Sequence, residues 1–279
     1  MILQTRFAPS PTGFLHLGNI YSALQCQAWA KANDATLLLR IEDIDFTRCK
    51  PELSRQIIDD LRWMGISFDG EVVYQSQRLD LYQQALDTLI AMDVLYPCFC
   101  TRKQISEHVS NPGVSSLDTY PKTCLVLHEQ ERALRKQQMP FSWRLNSQKV
   151  KKMLDKDLYW RDANGVKHGF DVVDDIGDVI IGRKDIHYSY HLAVVVDDAA
   201  QNISHVIRGE DLRSSTPVHR VLQLLLGYDS PVYLHHDLIH DQAGQRLAKT
   251  RQSPTLLSLR KQGMTPQEVL ISIKKASLR

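Results

Sequence analysis

The sequence predicts an α/β protein built on a parallel sheet, and three observations predict it. Ile2 to Ala8 and Thr36 to Ile41 are short, largely apolar runs that end in polar or turn-forming residues, as strands buried on both faces do. Segments with the apolar spacing of a helix alternate with them. A chain of 279 residues with 43% hydrophobic content is also long enough to bury a large core.

Taken in order, Ile2 to Ala8 reads as a strand leading into the turn-forming loop Pro9-Ser10-Pro11-Thr12-Gly13, and Leu15 to Ala32 as a helix. Thr36 to Ile41 is a second strand, with Glu42, Asp43 and Asp45 at its carboxyl end. Pro51 to Met64 is a helix carrying Pro in its first turn, and Leu79 to Val94 another. From about 96 to 145 the periodicity fails. Three cysteines gather there with Asn111-Pro112-Gly113, which reads as an inserted subdomain. Beyond it, Val179 to Ile181 and the apolar run Leu192 to Val196 read as strands, Thr216 to Leu226 as a helix and Val232 to Leu234 as a short strand. The expected division is 1–95 and 146–240 for the two halves of the catalytic body, 96–145 for the insertion, and 241–279 for a loop and a short helical segment. In such a sheet, ligands bind beyond the carboxyl ends of the strands.

No charged start followed by an apolar stretch, and no run of spanning length, is present, so a cytoplasmic protein without a membrane partner is expected. Five cysteines, an odd number, argue against a disulfide framework and leave reduced thiols or a metal site. Residues 246 to 279 carry eight Lys or Arg against Glu268 alone, a net +7, which leaves −5 for the rest of a chain totalling +2. By charge alone that end is either a polyanion contact or a solvated helical face.

Two constellations carry chemistry. In Arg6-Phe7-Ala8-Pro9-Ser10, continuing to His16-Leu17-Gly18-Asn19, a strand passes through a rigid loop into a helix start. Its N–H groups and positive dipole end suit phosphates. Gly18 permits close approach, and His16 can donate to phosphate oxygens; taken alone, a His there is more often a simple helix cap or surface residue. The second is Cys98-Phe99-Cys100 with Tyr120 and Cys124 downstream. Three thiols and one oxygen can fill a tetrahedral site, or the cysteines can be buried structural residues.

The run RFAPSPTGFLHLGN resembles the signature of glutamyl-tRNA synthetases and their relatives, with HLGN standing for the class I HIGH element. The resemblance continues in RIEDID at 40–45, in YHLAVVVDDAAQNISHVIRGEDL at 190–212, and in RLAKT at 246–250, which is similar to the KMSKS loop. It implies a Rossmann-like class I sheet with an inserted zinc-binding, acceptor-type subdomain. It also implies ATP as substrate, with magnesium, and L-glutamate as the amino acid. By resemblance, Arg6, Phe7, Ala8, Pro9, Ser10, Glu42, Tyr190 and Arg208 contact glutamate, while His16, Gly18, Asn19 and Lys249 meet ATP, with His16 and Lys249 catalytic. The residue types suit the chemistry, because guanidinium forks match carboxylates and a carboxylate matches an ammonium. The sequence departs from the pattern at Asn19, where HIGH has its last His, and at Arg246 and Ala248 in the loop.

The Cys-x-Cys and Tyr-x-x-x-Cys arrangement is similar to that of the short glutamyl-queuosine tRNA(Asp) synthetases, which makes Cys98, Cys100, Tyr120 and Cys124 structural zinc ligands. About thirty residues follow Thr250, too few for an anticodon-binding domain, and that too points to this family. Its acceptor is queuosine at the wobble position of tRNA(Asp). A monomer is expected. The alternatives are a fragment of a glutamyl-tRNA synthetase charging tRNA(Glu), a catalytically silent RNA-binding paralogue, and an enzyme using glutamine.

Overall fold

The computed structural model describes residues 2–109, 120–240 and 254–277. β1 (Gln4–Phe7) and β2 (Thr36–Ile41) flank α1 (Leu17–Ala32) in sequence and pair in parallel, Arg6 opposite Leu38 and Phe7 opposite Leu39. After α2 (Pro51–Trp63), β3 (Val73–Tyr74) extends the sheet in parallel beyond β2. Then come α3 (Leu79–Ala91), β4 (Leu95–Cys98), α4 (Arg102–Val109), α5 (Glu129–Gln138), β5 (Ser142–Leu145) and α6 (Ser147–Leu154). A hairpin, β6 (Leu158–Arg161) and β7 (Lys167–Phe170), precedes β8 (Ile180–Arg183), β9 (His187–Tyr188) and α7 (Tyr190–Ala200). The chain continues through β10 (His205–Gly209), α8 (Thr216–Leu226), β11 (Val232–His236), α9 (Leu256–Lys261) and α10 (Pro266–Ser277).

β10 and β11 pair in parallel as a two-stranded sheet of their own, and β10 packs beside β1. The Ser204 N–H donates to the Gln4 carbonyl at 3.0 Å. The buried Cys26 thiol lies 3.7 Å from the Arg6 carbonyl and 3.6 Å from that of Ile207. The carboxyl ends of β1, β2 and β10 therefore open on one crevice, the place an open parallel sheet reserves for a ligand. β4, β5, β8 and β9 form a separate antiparallel sheet, so two strands from beyond residue 145 complete the layer that begins at Leu95.

One core joins β1, β2, α1 and α2 to Leu256, Leu259, Val269 and Ile273 of α9 and α10. A second lies among α3, α7 and α8. Leu192 to Val196 does not form a strand: it is the middle of α7. The Ser189 hydroxyl caps that helix by accepting the Leu192 N–H at 3.3 Å, and all five residues are buried. A helix packed on every side is apolar all round, so its sequence has the same continuous run as a buried strand. Among the described residues, no helix is long and apolar enough to cross a membrane.

Candidate active site

The crevice is a cleft of about 530 Å³. Arg6, Phe7, Ala8, Pro9, Ser10, His16, Gly18, Asn19, Glu42, Tyr190 and Arg208, all expected from the sequence, line it. Phe7 is also part of the core beneath it. The loop after β1 is tied to the end of β2 because the Glu42 N–H donates to the Pro9 carbonyl at 3.0 Å. At the start of α1, His16 is the N-cap: its Nδ1 accepts the Gly18 N–H at 3.1 Å, which places the ring proton of the neutral imidazole on Nε2. Asn19 returns the interaction, its Oδ1 accepting the His16 N–H at 3.2 Å in a capping box. The side chain that departs from the HIGH pattern thus fixes the helix start.

Arg6 does not stand alone. Its Nε donates to Asp198 Oδ1 at 2.9 Å, and both residues are buried. Arg40, fully buried inside the apolar run of β2, ion-pairs with Asp198 at 2.9 Å, Glu42 at 3.5 Å and Asp197 at 3.6 Å. Asp197 is held in turn by Gln75, Arg78 and Tyr82 at 2.6–2.8 Å. Burial alone would raise Asp198, but Arg6 and Arg40 bring it below the usual carboxylate range. Glu42 goes the other way. Burial pushes it up to about 7 against the pull of Arg40 and Arg6. A ligand ammonium would restore its charge.

Arg208, at the end of β10, has neutral partners. Nη2 donates to Thr216 Oγ1 at 2.7 Å, Nη1 lies 3.1 Å from His219 Nδ1, and Nε donates to His235 Nε2 at 3.2 Å. His219 Nε2 lies 3.2 Å from His191 Nδ1. Burial, reinforced by the Arg208 charge, drives His191 down to about 4, His235 to about 3 and His219 well below its ordinary value. All three are therefore neutral near pH 7. The tautomers follow: His219 accepts from Arg208 and donates to His191. Tyr190 sits between Glu42 and Arg208, its phenol pushed up to about 12 by burial and so protonated. It also lines a second cavity of about 570 Å³ that runs toward Cys98 and Cys100. A Cβ at Gly209 would lie 2.5 Å from Asp211 Oδ1 and 3.0 Å from Leu238 Cδ2, so those side chains would have to shift to admit one.

Arg246, Ala248 and Lys249 lie outside the described residues. The residues flanking that segment reach the cleft on both sides: Ile239 lines it, and Thr255 forms a β-bridge with His16 while the Leu256 N–H donates to the Leu15 carbonyl at 2.7 Å.

The four expected metal ligands also converge. The sulfurs of Cys98, Cys100 and Cys124 lie within 4.8 Å of one another. Cys100 and Cys124 are 3.5 Å apart, and the Tyr120 hydroxyl donates to Cys98 Sγ at 3.0 Å. Thiolates around one tetrahedral zinc at about 2.3 Å stand about 3.8 Å apart, so this donor set fits such an ion. A hydrogen bond from Cys98 brings Cys124 down to about 6, toward the thiolate a metal needs. The Phe99 N–H and the Arg144 guanidinium, 3.7 Å over the Tyr120 ring, support the cluster from outside.

Sequence reading missed Arg40, Asp197, Asp198, Thr216, His219 and His235. The signal was present in LLLRI and VVVDD, where opposite charges interrupt apolar runs and can be buried only as partners.

A family model for class I tRNA synthetases (E and Q), catalytic domain, matches residues 2–276. A Rhodobacter capsulatus protein named glutamyl-Q tRNA(Asp) synthetase is 40% identical over 278 residues, covering 95% of this chain and 97% of that protein. This chain belongs to the glutamyl-Q tRNA(Asp) synthetase family. The family is one of ligases within the class I aminoacyl-tRNA synthetases. The Nocardia farcinica member is 39% identical over 266 residues, covering 95% of this chain and 81% of that protein. Among solved structures, a glutamate tRNA ligase from Elizabethkingia meningosepticum in complex with its amino acid superposes with a TM-score of 0.73 at 26% identity. The match covers 95% of this chain, which spans about half, 54%, of that ligase.

Proposed function

We propose that the protein activates L-glutamate with ATP to glutamyl-adenylate without needing tRNA, then transfers glutamate to queuosine at the wobble position of tRNA(Asp). The observation that carries the first half is the charge frame in one cleft. Two guanidiniums, Arg6 and Arg208, stand ready for carboxylates, and Glu42, short of neutralisation, for an ammonium. The family names carry the acceptor.

The geometry suggests how the chain's own groups act. Arg6, Arg208 and Tyr190 hold the amino acid so that its α-carboxylate meets the α-phosphorus of ATP. His16 offers Nε2–H to phosphate oxygens at the start of α1, where the backbone amides of a helix favour anions. Lys249 takes charge on the departing pyrophosphate. No covalent protein nucleophile is required, since positioning and electrostatics supply the rate. Magnesium enters with ATP. The acceptor hydroxyl then attacks the adenylate from the side of the second cavity, next to Tyr190. Cys98, Cys100, Tyr120 and Cys124 would hold a structural zinc, which would tie β4 to the return of the insertion. On this reading 1–95 and 146–240 form the catalytic body of a monomer, 96–145 the zinc-binding insertion, and 241–279 the loop and C-terminal segment.

The test is transfer of labelled glutamate to tRNA(Asp) with and without queuosine. Label only on the queuosine-containing RNA, prevented by periodate cleavage of the ring diol before the reaction but resistant to removal of the 3′ nucleotide afterwards, is expected. Equal labelling of both RNAs, or charging of tRNA(Glu) at its 3′ end, would overturn it.

A further inference from the structure

The hairpin β6–β7 has two unlike faces. Inward, Trp160 stacks on His168 at 4.1 Å and meets the edge of His235 at 5.4 Å, one contact away from Arg208. The turn is anchored to β11 by the Ala163 N–H, which donates to the Tyr233 carbonyl at 2.9 Å. The hairpin is therefore fixed to the wall of the cleft.

The outward face carries Tyr159, Arg161, Lys167 and Gly169. The register sets Arg161 directly opposite Lys167, and Tyr159 opposite Gly169. Lys167 Nζ lies 4.4 Å and the Arg161 guanidinium 5.5 Å from the centre of the Tyr159 ring. Like charges directly across a sheet are destabilising. Among the described residues neither cation has an acidic partner. Gly169 is not required by packing, since a Cβ there would meet only the Leu158 carbonyl at 3.8 Å.

Some surface cations nearby are satisfied internally: Lys149 by Asp93, Lys151 by Asp171 at 2.6 Å, Arg183 by Asp185 at 2.6 Å. Arg260, in the basic C-terminal stretch, is likewise taken up by Asp60 at 2.6 Å. Two cations without acidic partners, gathered around one half-buried aromatic ring on an element docked to the cleft wall, suit a polyanion with flat groups. We infer that the outer face of this hairpin is an RNA-binding surface, with Arg161 and Lys167 on backbone phosphates and Tyr159 against a base or ribose. This rests on the reading of tRNA as the acceptor. It holds the RNA to the body while the reacting nucleotide enters the cleft.

The test compares the wild type with Arg161→Glu/Lys167→Glu and with Tyr159→Ala. Glutamate-dependent ATP–pyrophosphate exchange without RNA should stay within twofold in both variants, which shows that they fold. tRNA affinity, measured by titration from 50 to 200 mM salt, should fall about tenfold in the double variant at the lower salt. The slope of log affinity against log salt should become shallower by about 2. Tyr159→Ala should weaken binding severalfold with the slope retained. Wild-type affinity and slope in the double variant would overturn the surface, and would leave the face to a protein partner. A wild type that binds tRNA but transfers no glutamate would instead overturn the functional reading, while the salt slope still decides the surface.

Discussion

Arg6 and Arg208 are both buried guanidiniums at the carboxyl ends of parallel strands, yet the groups that hold them differ in charge. Arg6 is held by Asp198, a carboxylate that Arg40 also grips, so most of its charge is answered within the protein. Arg208 is held by a hydroxyl and two neutral imidazoles, so its orientation is fixed while its charge is left for a ligand. A buried cation without an anion is expensive, and the expense is recovered when an anion binds. On the proposed function, the difference gives the two residues unequal shares of carboxylate recognition, with Arg208 supplying the attraction and Arg6 mainly geometry.

The largest effect should come from removing the unanswered charge. Arg208→Gln is expected to lower kcat/KM for glutamate in pyrophosphate exchange by about 10³-fold, because truncating one side of a desolvated charge pair costs about 2–5 kcal/mol. A loss no larger than that of Arg6→Gln would remove the contrast. His219→Asp converts the neutral holder into an ionic one. It should raise the glutamate KM about 30-fold by answering Arg208 internally, with kcat changed less. If instead His219→Asp and His219→Asn behave alike, the charge of the holder is immaterial.

The Arg6 side gives a pH signature. The Glu42 carboxyl is raised from 4.5 to about 7, so glutamate binding, which needs the carboxylate, should weaken as pH falls through about 7. Folding stability has the opposite sign. The protonated group's contribution is fully present below 4.5 and is lost as pH rises through about 7. Glu42→Gln should flatten both profiles. Arg40→Lys, which weakens the pull on Glu42, should move the acidic limb of the glutamate KM profile upward by about 1 pH unit and raise KM about tenfold at pH 7. An unmoved limb would mean that Arg40 does not tune Glu42.

The smallest effect on activation belongs to the remote cluster. Cys124→Ser should abolish bound zinc, measured by elemental analysis, and lower the midpoint of thermal unfolding by several degrees, with exchange reduced less than about threefold. Unchanged metal content would exclude these residues as the site.

Much of this was legible in the sequence because the loop after β1 and the Cys-x-Cys pair are local patterns. Arg6 to Asn19 sits on one strand, one loop and one helix turn. The frame that holds Arg6 and Arg208 was not legible, because Arg40, Asp198 and the pair Thr216 and His219 come from three separated segments and look in sequence like ordinary charged or core residues. Leu192 to Val196 misled for a physical reason already given: burial on all sides erases periodicity. The hairpin could have been found, since Asn164-Gly165 between LYWRD and VKHGF is a turn signal flanked by alternating residues, and Gly165 does adopt φ +80°. Asn19 read as a departure from pattern, yet its amide does the work of a capping partner that sequence comparison with HIGH does not reveal.

The central claim is that this charge frame selects and activates glutamate by itself. Amino-acid-dependent ATP–pyrophosphate exchange, run without any RNA and with glutamate and glutamine in parallel, tests it most directly. Robust exchange with glutamate and at least about 100-fold less with glutamine is the predicted result, since glutamine leaves Arg208 unanswered. Exchange that requires tRNA, or that proceeds equally with glutamine, would contradict it.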